Sequence, residues 1–189
     1  MPTSPSSSIR RTYGSIRAQL DELLLLARQP ELATIRSTEV SQWSVGQQLE
    51  HLLLIDRMIL DGFDGLLAGD LESAGGGPTG IGRIILLFEY IPRGKGRAPK
   101  RVIPGALDPI EIASGFEEIE SKFEELAPRL GELEASRATY RHPLMGNFNP
   151  SQWLKFVKIH HRHHQKLIRD IRRLAEQAKG SKTTGRDSQ

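Results

Sequence analysis

The chain has 189 residues, of which 38% are hydrophobic and 26% charged, a composition typical of one ordinary soluble globular domain. It contains no cysteine, which excludes disulfides and thiolate metal sites, so any metal must bind imidazole or carboxylate groups. The net charge of +3 indicates a mild basic bias, and such charge usually reflects surface solvation. No apolar run is long enough to cross a bilayer and the first residues lack a secretory signal, so we expect a cytoplasmic protein.

The N-terminal third of the chain predicts two helices. Residues 1–11 are rich in serine and proline, and we expect them to be flexible. A first helix is predicted over about residues 13–28, where hydrophobic residues recur at helical spacing. A second is predicted over about residues 44–67. Its start is indicated by Ser44, whose hydroxyl caps the helix while Gln47 reaches back in a capping box.

A long connection separates these helices from the rest of the chain. It contains a glycine-rich stretch, a short apolar helix over about residues 83–90 and a basic loop over residues 93–101. A third helix is predicted over about residues 108–126. Its start is indicated by Asp108 as the cap and Pro109 in the first turn, and a proline and a glycine follow its end.

The fourth predicted helix is the longest, and it completes the expected fold. Asn149 and Pro150 repeat the cap and first-turn proline, and the helix continues to about Ala178. No alternation typical of a strand extends beyond a few residues near Val102. The sequence therefore predicts an all-α protein, a four-helix bundle with a long crossover between helices two and three. Residues 12–178 are expected to form one domain, followed by a disordered tail over residues 179–189.

The most informative motif is a histidine pair on the fourth helix. His160 and His164 lie four residues apart, so they share a helix face and their rings can converge on one metal ion. That face is apolar, and it also carries Trp153, Phe156, Val157, Leu167 and Ile171. The alternative is a pair of hydrogen-bonded core histidines, because two ligands are only half of a site. His161 is expected at the boundary or surface. His163 also lies at the edge of this face, where a boundary position is as plausible as supporting a ligand or carrying a proton, and we take it as the candidate catalytic group.

The candidates for a third ligand are few, because only two other histidines occur. His51 lies at the border of the apolar face of the second helix, where its position alone leaves its role open. His142 precedes a proline in a loop, where holding the loop or shaping the site entrance is as plausible as ligation. Asp56 falls inside the apolar face of the second helix, which is unusual for a carboxylate. We favour an arginine as its partner over a contact that supports an imidazole.

Two segments, taken as an ordered pair, resemble the DinB-like superfamily of metal-binding four-helix bundles. They are WSVGQQLEHLLLIDR on the second helix and HPLMGNFNPSQWLKFVKIHHRHHQKLI at the start of the fourth. The resemblance covers residues 13–178 and implies that His51, His160 and His164 bind one divalent metal ion. Characterised members include thiol-dependent transferases, and others are described as metal-dependent hydrolases.

The resemblance and the ligand types together predict a metal-dependent enzyme, either a thiol-dependent S-transferase or a hydrolase. Three imidazoles favour zinc or nickel, with iron, copper or manganese as further candidates. The expected partner is a small molecule, with a low-molecular-weight thiol as one candidate. The resemblance also implies a homodimer, which no sequence feature indicates. The alternative is a non-catalytic helical bundle that binds metal or nucleic acid. The basic residues of the loop and of the fourth helix could contact phosphates or an anionic substrate, but a solvated basic surface is the favoured interpretation.

Overall fold

The computed structural model describes residues 4–94, 98–105 and 107–184, and beyond residue 179 only the backbone is described. The chain is mostly helical, as predicted. The helices are α1 (Ser7–Ala27), α2 (Val45–Ala68), α3 (Gly80–Phe88), α4 (Pro109–Leu126), α5 (Leu130–Ala135) and α6 (Pro150–Thr184). A hairpin of β1 (Tyr140–His142) and β2 (Gly146–Phe148) precedes α6, and short 3-10 helices span Pro30–Leu32, Lys100–Val102 and Ala127–Arg129.

Four long helices enclose the hydrophobic core. α1 packs against α4 and α6, and α2 packs against the same two helices, so that the four contacts close a ring. The largest fully buried side chains include Trp153, Phe63, Phe116 and Phe123, which come from three of these helices. Burial of each such side chain contributes roughly 1.5–3 kcal/mol to stability. The ring places α2 directly against α6, the two helices that carry most of the histidines.

The predicted start signals of α2, α4 and α6 are confirmed. Ser44 Oγ accepts a hydrogen bond from the Gln47 N–H at 3.3 Å, and Gln47 Oε1 accepts one from the Ser44 N–H at 3.0 Å. The same reciprocal pattern joins Asn149 and Gln152 at the start of α6. Because these caps satisfy N–H groups that have no partner inside the helix, they fix where each helix begins.

Several predicted helix ends are wrong. α1 begins at Ser7, earlier than residue 13, because Ser6 caps it and the Ser6 N–H also donates to Glu134 at 2.7 Å. The third predicted helix is not followed by a break after residue 126, because the 3-10 helix Ala127–Arg129 leads directly from α4 into α5. α6 runs to Thr184, past the predicted end at Ala178. The rest of the predicted tail, residues 185–189, lies outside the described residues, as do residues 95–97 of the predicted basic loop and residues 1–3. The assignment of residues 12–178 to one domain stays a prediction.

The connection from α2 to α4 contains α3, which confirms the predicted short apolar helix, and the 3-10 turn Lys100–Val102. The small sheet was not predicted, because its strands have three residues each and show no alternation over a useful length. Among the described residues, no helix has the combination of length and apolar character that crossing a bilayer requires.

Candidate metal centre

Three histidine side chains from two helices meet in the core between α2 and α6. One ring nitrogen each from His51, His160 and His164 lies within 4.8 Å of the others, and all three residues are buried. The Nε2 atoms of His160 and His164 are 3.1 Å apart. Two imidazoles bound at about 2.0–2.1 Å to one tetrahedral ion would have their nitrogens roughly 3.3 Å apart. The geometry therefore positions the three rings to hold a metal ion.

Hydrogen bonds on the outer side of two rings determine which nitrogen faces the centre. His51 Nδ1–H donates to the Val102 carbonyl at 2.6 Å, and His164 Nδ1–H donates to Gln48 Oε1 at 2.6 Å. The Gln48 amide is itself oriented, since its Nε2 donates to Ser41 Oγ at 2.8 Å. In both neutral rings the lone pair is thus on Nε2 and directed away from these partners, as is usual for metal-binding histidines.

His160 lacks such a partner. Its Nδ1 is buried without a hydrogen bond to any described residue, and its ring stacks on Phe156 with centroids 5.2 Å apart. Its Nε2 faces that of His164, and two lone pairs at that separation repel each other unless a proton or a cation lies between them. The donor set and the orientation of the rings both fit a bound cation.

The electrostatics keep these imidazoles in the neutral form that binds metals. Burial lowers the pKa of His51, although the hydrogen bond to Val102 partly offsets this effect. Burial also lowers the pKa of His160 and His164 well below the ordinary value, and repulsion among the neighbouring histidines adds to it. Neutral imidazole is the ligating form, so no proton has to leave at neutral pH before a metal binds.

The connection between α3 and α4 also supports the centre. Glu50, next to His51 on α2, is buried and accepts hydrogen bonds from the backbone N–H groups of Gly105 at 2.7 Å and Leu107 at 3.4 Å. These bonds hold the segment that carries the Val102 carbonyl against His51. Sequence analysis missed Gln48, Glu50 and Val102. Gln48 had a usable signal, because a residue three positions before His51 shares its helix face.

His161 and Asp56 correct two predictions. His161 is fully buried, not at a boundary or on the surface, and its Nε2–H donates to both carboxylate oxygens of Asp56 at 2.8 and 3.0 Å. The partner of Asp56 is therefore an imidazole and not an arginine. His161 is outside the group of three, but it follows His160 directly. The Asp56–His161 pair thus joins α2 to α6 beside the centre.

The other two histidines lie outside the group of three. His142 Nδ1 accepts hydrogen bonds from the N–H groups of Leu144 and Met145, both at 3.2 Å, so this histidine holds the hairpin turn. Its burial lowers its pKa to about 4. His163 is half-buried, with its ring centroid 5.1 Å from that of His164. Burial, together with the charge of Arg93, lowers the pKa of His163 to about 4. Its catalytic role stays a prediction.

The fold and the site together define a mostly helical protein with a buried three-histidine group positioned to hold a metal ion. Residues 17–171 match the model of the family described as "Protein of unknown function (DUF1569)". Because this match spans most of the chain, the protein belongs to that family. No curated protein and no solved structure matches the chain.

Proposed function

We propose that this protein is a metal-dependent enzyme of the DinB-like type, a four-helix bundle in which His51, His160 and His164 bind one divalent cation. The observation that carries the proposal is the convergence of three buried ring nitrogens within 4.8 Å of one another. The outer hydrogen bonds to Val102 and Gln48 support it, because they orient two of the rings in the ligating sense. The closed ring of four long helices is consistent with the proposed bundle.

The chemistry follows from the ligand type. Three neutral imidazoles leave a divalent ion its full positive charge and open positions, so that it can lower the pKa of a bound water to about 7 or hold a thiol as thiolate. We propose zinc or nickel as the metal, with iron or manganese as alternatives, and a small-molecule substrate. The reaction class is thiol-dependent S-transfer or hydrolysis. We assign His163, which lies beside His164, the role of moving a proton.

The nucleic-acid alternative has less support. Lys155, Lys158 and Arg162 project from the basic side of α6, but all three contact Glu89, which reduces the positive charge available to phosphates. Arg93 of the basic loop likewise pairs with Asp170 at 2.7 Å.

The direct test is elemental analysis of protein purified without a histidine tag. We expect about one equivalent of metal in the wild type and its loss in His160→Ala and in His164→Ala, with helix content retained in circular dichroism. His142→Asn is the matched control, because it changes a buried histidine outside the group and should keep the metal. Stoichiometric metal in both alanine variants would refute the ligand assignment.

A second experiment separates catalysis from a structural role. The wild type is treated with a chelator and assayed for thiol transfer to an electrophile and for ester hydrolysis, while circular dichroism follows the fold. Loss of turnover with the fold intact supports the enzyme proposal. Unfolding on chelation instead identifies a structural ion.

A further inference from the structure

α3 is a short helix that is apolar on both sides. Its buried side packs on the core through Ile85 and Leu86. Its outer side exposes four large hydrophobic residues, which are Ile81 (65% exposed), Ile84 (58%), Leu87 (73%) and Phe88 (71%). At about 3.6 residues per turn, these four residues fall within an arc of roughly 120°. They form one continuous apolar surface, the outer face of α3, and surfaces of this kind mark interaction sites.

The apolar surface continues past both ends of α3. Leu144 (56% exposed) lies in the hairpin turn, where the Met145 carbonyl accepts a hydrogen bond from the Thr79 N–H at 2.8 Å, directly before α3. Tyr90 (58% exposed) follows the other end. Nine large hydrophobic residues are exposed among the described residues, and six of them lie on α3 or at its two ends. Single exposed hydrophobic residues are normal, but this concentration in one region indicates a docking surface.

The connection that contains α3 also has an exposed basic turn. In the 3-10 helix Lys100–Val102, Val102 is buried and its carbonyl accepts the His51 N–H, whereas Lys100 and Arg101 are exposed. The turn is therefore held on the core by Val102 while its two basic side chains face solvent.

Contacts near the metal centre place this turn close to the end of α3. Ile91, three residues after α3, lies against His163. The ring centroids of His163 and His51 are 5.1 and 4.9 Å from that of His164. Because Ile91 and Val102 contact neighbouring members of one histidine cluster, the chain that follows α3 and the basic turn cover the same region of the molecule.

The charge of this connection is strongly positive. The described residues of the range 80–105 include one acidic residue, Glu89, and four basic residues, which are Arg83, Arg93, Lys100 and Arg101. Their net charge of +3 equals that of all 189 residues. Three basic side chains of α6 surround the Glu89 carboxylate. Arg83, Lys100 and Arg101 take part in no ion pair among the described residues, so their charges are available to an anionic partner.

We propose that the outer face of α3 docks on the surface of an anionic phospholipid membrane. Its apolar side chains enter the boundary between headgroups and acyl chains, and Arg83, Lys100 and Arg101 meet the lipid phosphates and carboxylates. Charge complementarity selects this occupant, because the unpaired charges beside the apolar face are all positive and the cytoplasmic leaflet is negative. A nucleic acid would leave the apolar face uncovered. This inference goes beyond the proposed function and does not depend on metal binding.

Two features of α3 suit a membrane surface. Tyr90 has an apolar ring with a polar hydroxyl, and such side chains are enriched where one end is apolar and the other is wet. The helix is also fixed at both ends, since Thr79 caps it by accepting the Gly82 N–H at 3.2 Å and Glu89 pairs with Lys158 at 2.9 Å. Because α3 is held in place before it meets the lipid, docking costs little additional ordering. Such docking is peripheral and reversible, and it requires no helix that crosses the bilayer.

The test is co-sedimentation of the full chain with vesicles of phosphatidylcholine and phosphatidylserine, and with vesicles of phosphatidylcholine alone. We expect the wild type to bind the anionic vesicles more tightly than the neutral ones. Leu87→Glu should lower the partition coefficient at least about tenfold, because it removes an apolar side chain from the contact and adds a negative charge. Leu25→Glu is the matched control, since it makes the same change at an exposed leucine of α1 and should bind as the wild type does. Circular dichroism verifies that both variants are folded.

The basic turn is tested separately with Lys100→Gln/Arg101→Gln. Each basic residue near an anionic leaflet contributes roughly a factor of five to binding, so the double variant should bind the anionic vesicles about 25-fold more weakly. Its binding to neutral vesicles should not change. Equal effects on both kinds of vesicle would contradict the electrostatic part of the proposal.

Fluorescence quenching locates the inserted residues. In Phe88→Trp, vesicles whose acyl chains are brominated should quench the new tryptophan, and in Leu25→Trp they should not. The background is small, because Trp153 is fully buried and Trp43 is half-buried. Wild-type protein that does not bind anionic vesicles, or binding that Leu87→Glu leaves unchanged, would overturn the proposal. A dimer that Leu87→Glu dissociates in sedimentation velocity, without any vesicle binding, would overturn it as well and identify a second copy as the occupant.

Discussion

Replacing Gln48 by methionine tests whether the hydrogen bond behind His164 supports metal binding. Methionine has a similar length but cannot accept the His164 Nδ1–H, which Gln48 Oε1 accepts at 2.6 Å. Loss of a group that orients a metal-binding histidine typically weakens metal affinity 10–100-fold, which is about 1.4–2.7 kcal/mol. Because Gln48 is fully buried, the orphaned N–H should also lower the free energy of unfolding of the metal-free protein by about 1–3 kcal/mol.

Gln48→Glu should have the opposite effect on affinity. A carboxylate accepts the His164 Nδ1–H more strongly than an amide does, and it makes the ring a better electron donor to a metal. Its second oxygen replaces the Gln48 Nε2 that donates to Ser41 Oγ at 2.8 Å, and the Ser41 hydroxyl can turn to donate to it. The buried negative charge is compensated when a cation binds, so the glutamate variant should bind metal at least as tightly as the wild type.

The assay is a competition titration in which a chromogenic chelator and the protein share one equivalent of zinc. Gln29→Met is the matched control, since Gln29 lies just after the end of α1 and its side chain donates to the Leu25 carbonyl at 2.8 Å, away from the three histidines. We expect Gln48→Glu to bind zinc at least as tightly as the wild type and Gln29→Met to bind it as tightly as the wild type. Gln48→Met should have the lowest zinc affinity of the four proteins. Equal affinity in all four proteins would refute the orienting role of Gln48.

Two further predictions concern the surroundings of the centre. Glu50→Ala should free the Gly105 and Leu107 N–H groups, so the hydrogen exchange of these two amides should become faster. Zinc affinity should also fall, because Val102 loses its fixed position. Unchanged exchange would argue against the anchoring role of Glu50. His142 has a folded pKa of about 4 against about 6.5 when unfolded, so the unfolded state takes up more protons and stability is lost as the pH falls from 6.5 towards 4. In His142→Asn this loss should be smaller by about 2.5 kcal/mol at pH 4.5 in urea denaturation. Identical pH slopes in the two proteins would contradict a neutral buried imidazole.

The sequence predicted the part of the centre that lies within one helix. His160 and His164 follow from spacing alone, because residues four apart on a helix share a face wherever that helix packs. His51 did not follow in this way, since its position on α2 was ambiguous and its assignment came from the family resemblance. The contact between His51 and Val102 joins residues 51 positions apart and depends on the course of the connection, for which no local pattern exists.

The error at His161 has a specific cause. The predicted boundary position of His161 rests on a helix with one buried stripe and one solvent-exposed side, which describes a helix packed on a single neighbour. α6 packs against both α1 and α2 and is also contacted by α3, α5 and β2, so its buried arc is wider. Residues such as Leu154, Ile159 and His161 are therefore enclosed as well. The same reason explains the carboxylate of Asp56 on the apolar face of α2. Its partner, His161, lies on the part of α6 that is buried only because the buried arc is wider than one stripe.

The distribution of polar groups on α2 is the strongest physical argument that this helix interface serves a site. Gln48, Glu50, His51 and Asp56 are all buried on the side of α2 whose other buried residues are apolar, and each has a partner on α6, in the connection, or at Ser41. Burying such groups costs several kcal/mol even when they are paired, and apolar residues of similar volume would often stabilise a purely structural contact better. Packing alone therefore does not account for four such groups in nine residues. The need to hold three neutral imidazoles at one point does account for Gln48, Glu50 and His51. Asp56 serves the same site indirectly, because its bond to His161 sets the position of α6 against α2.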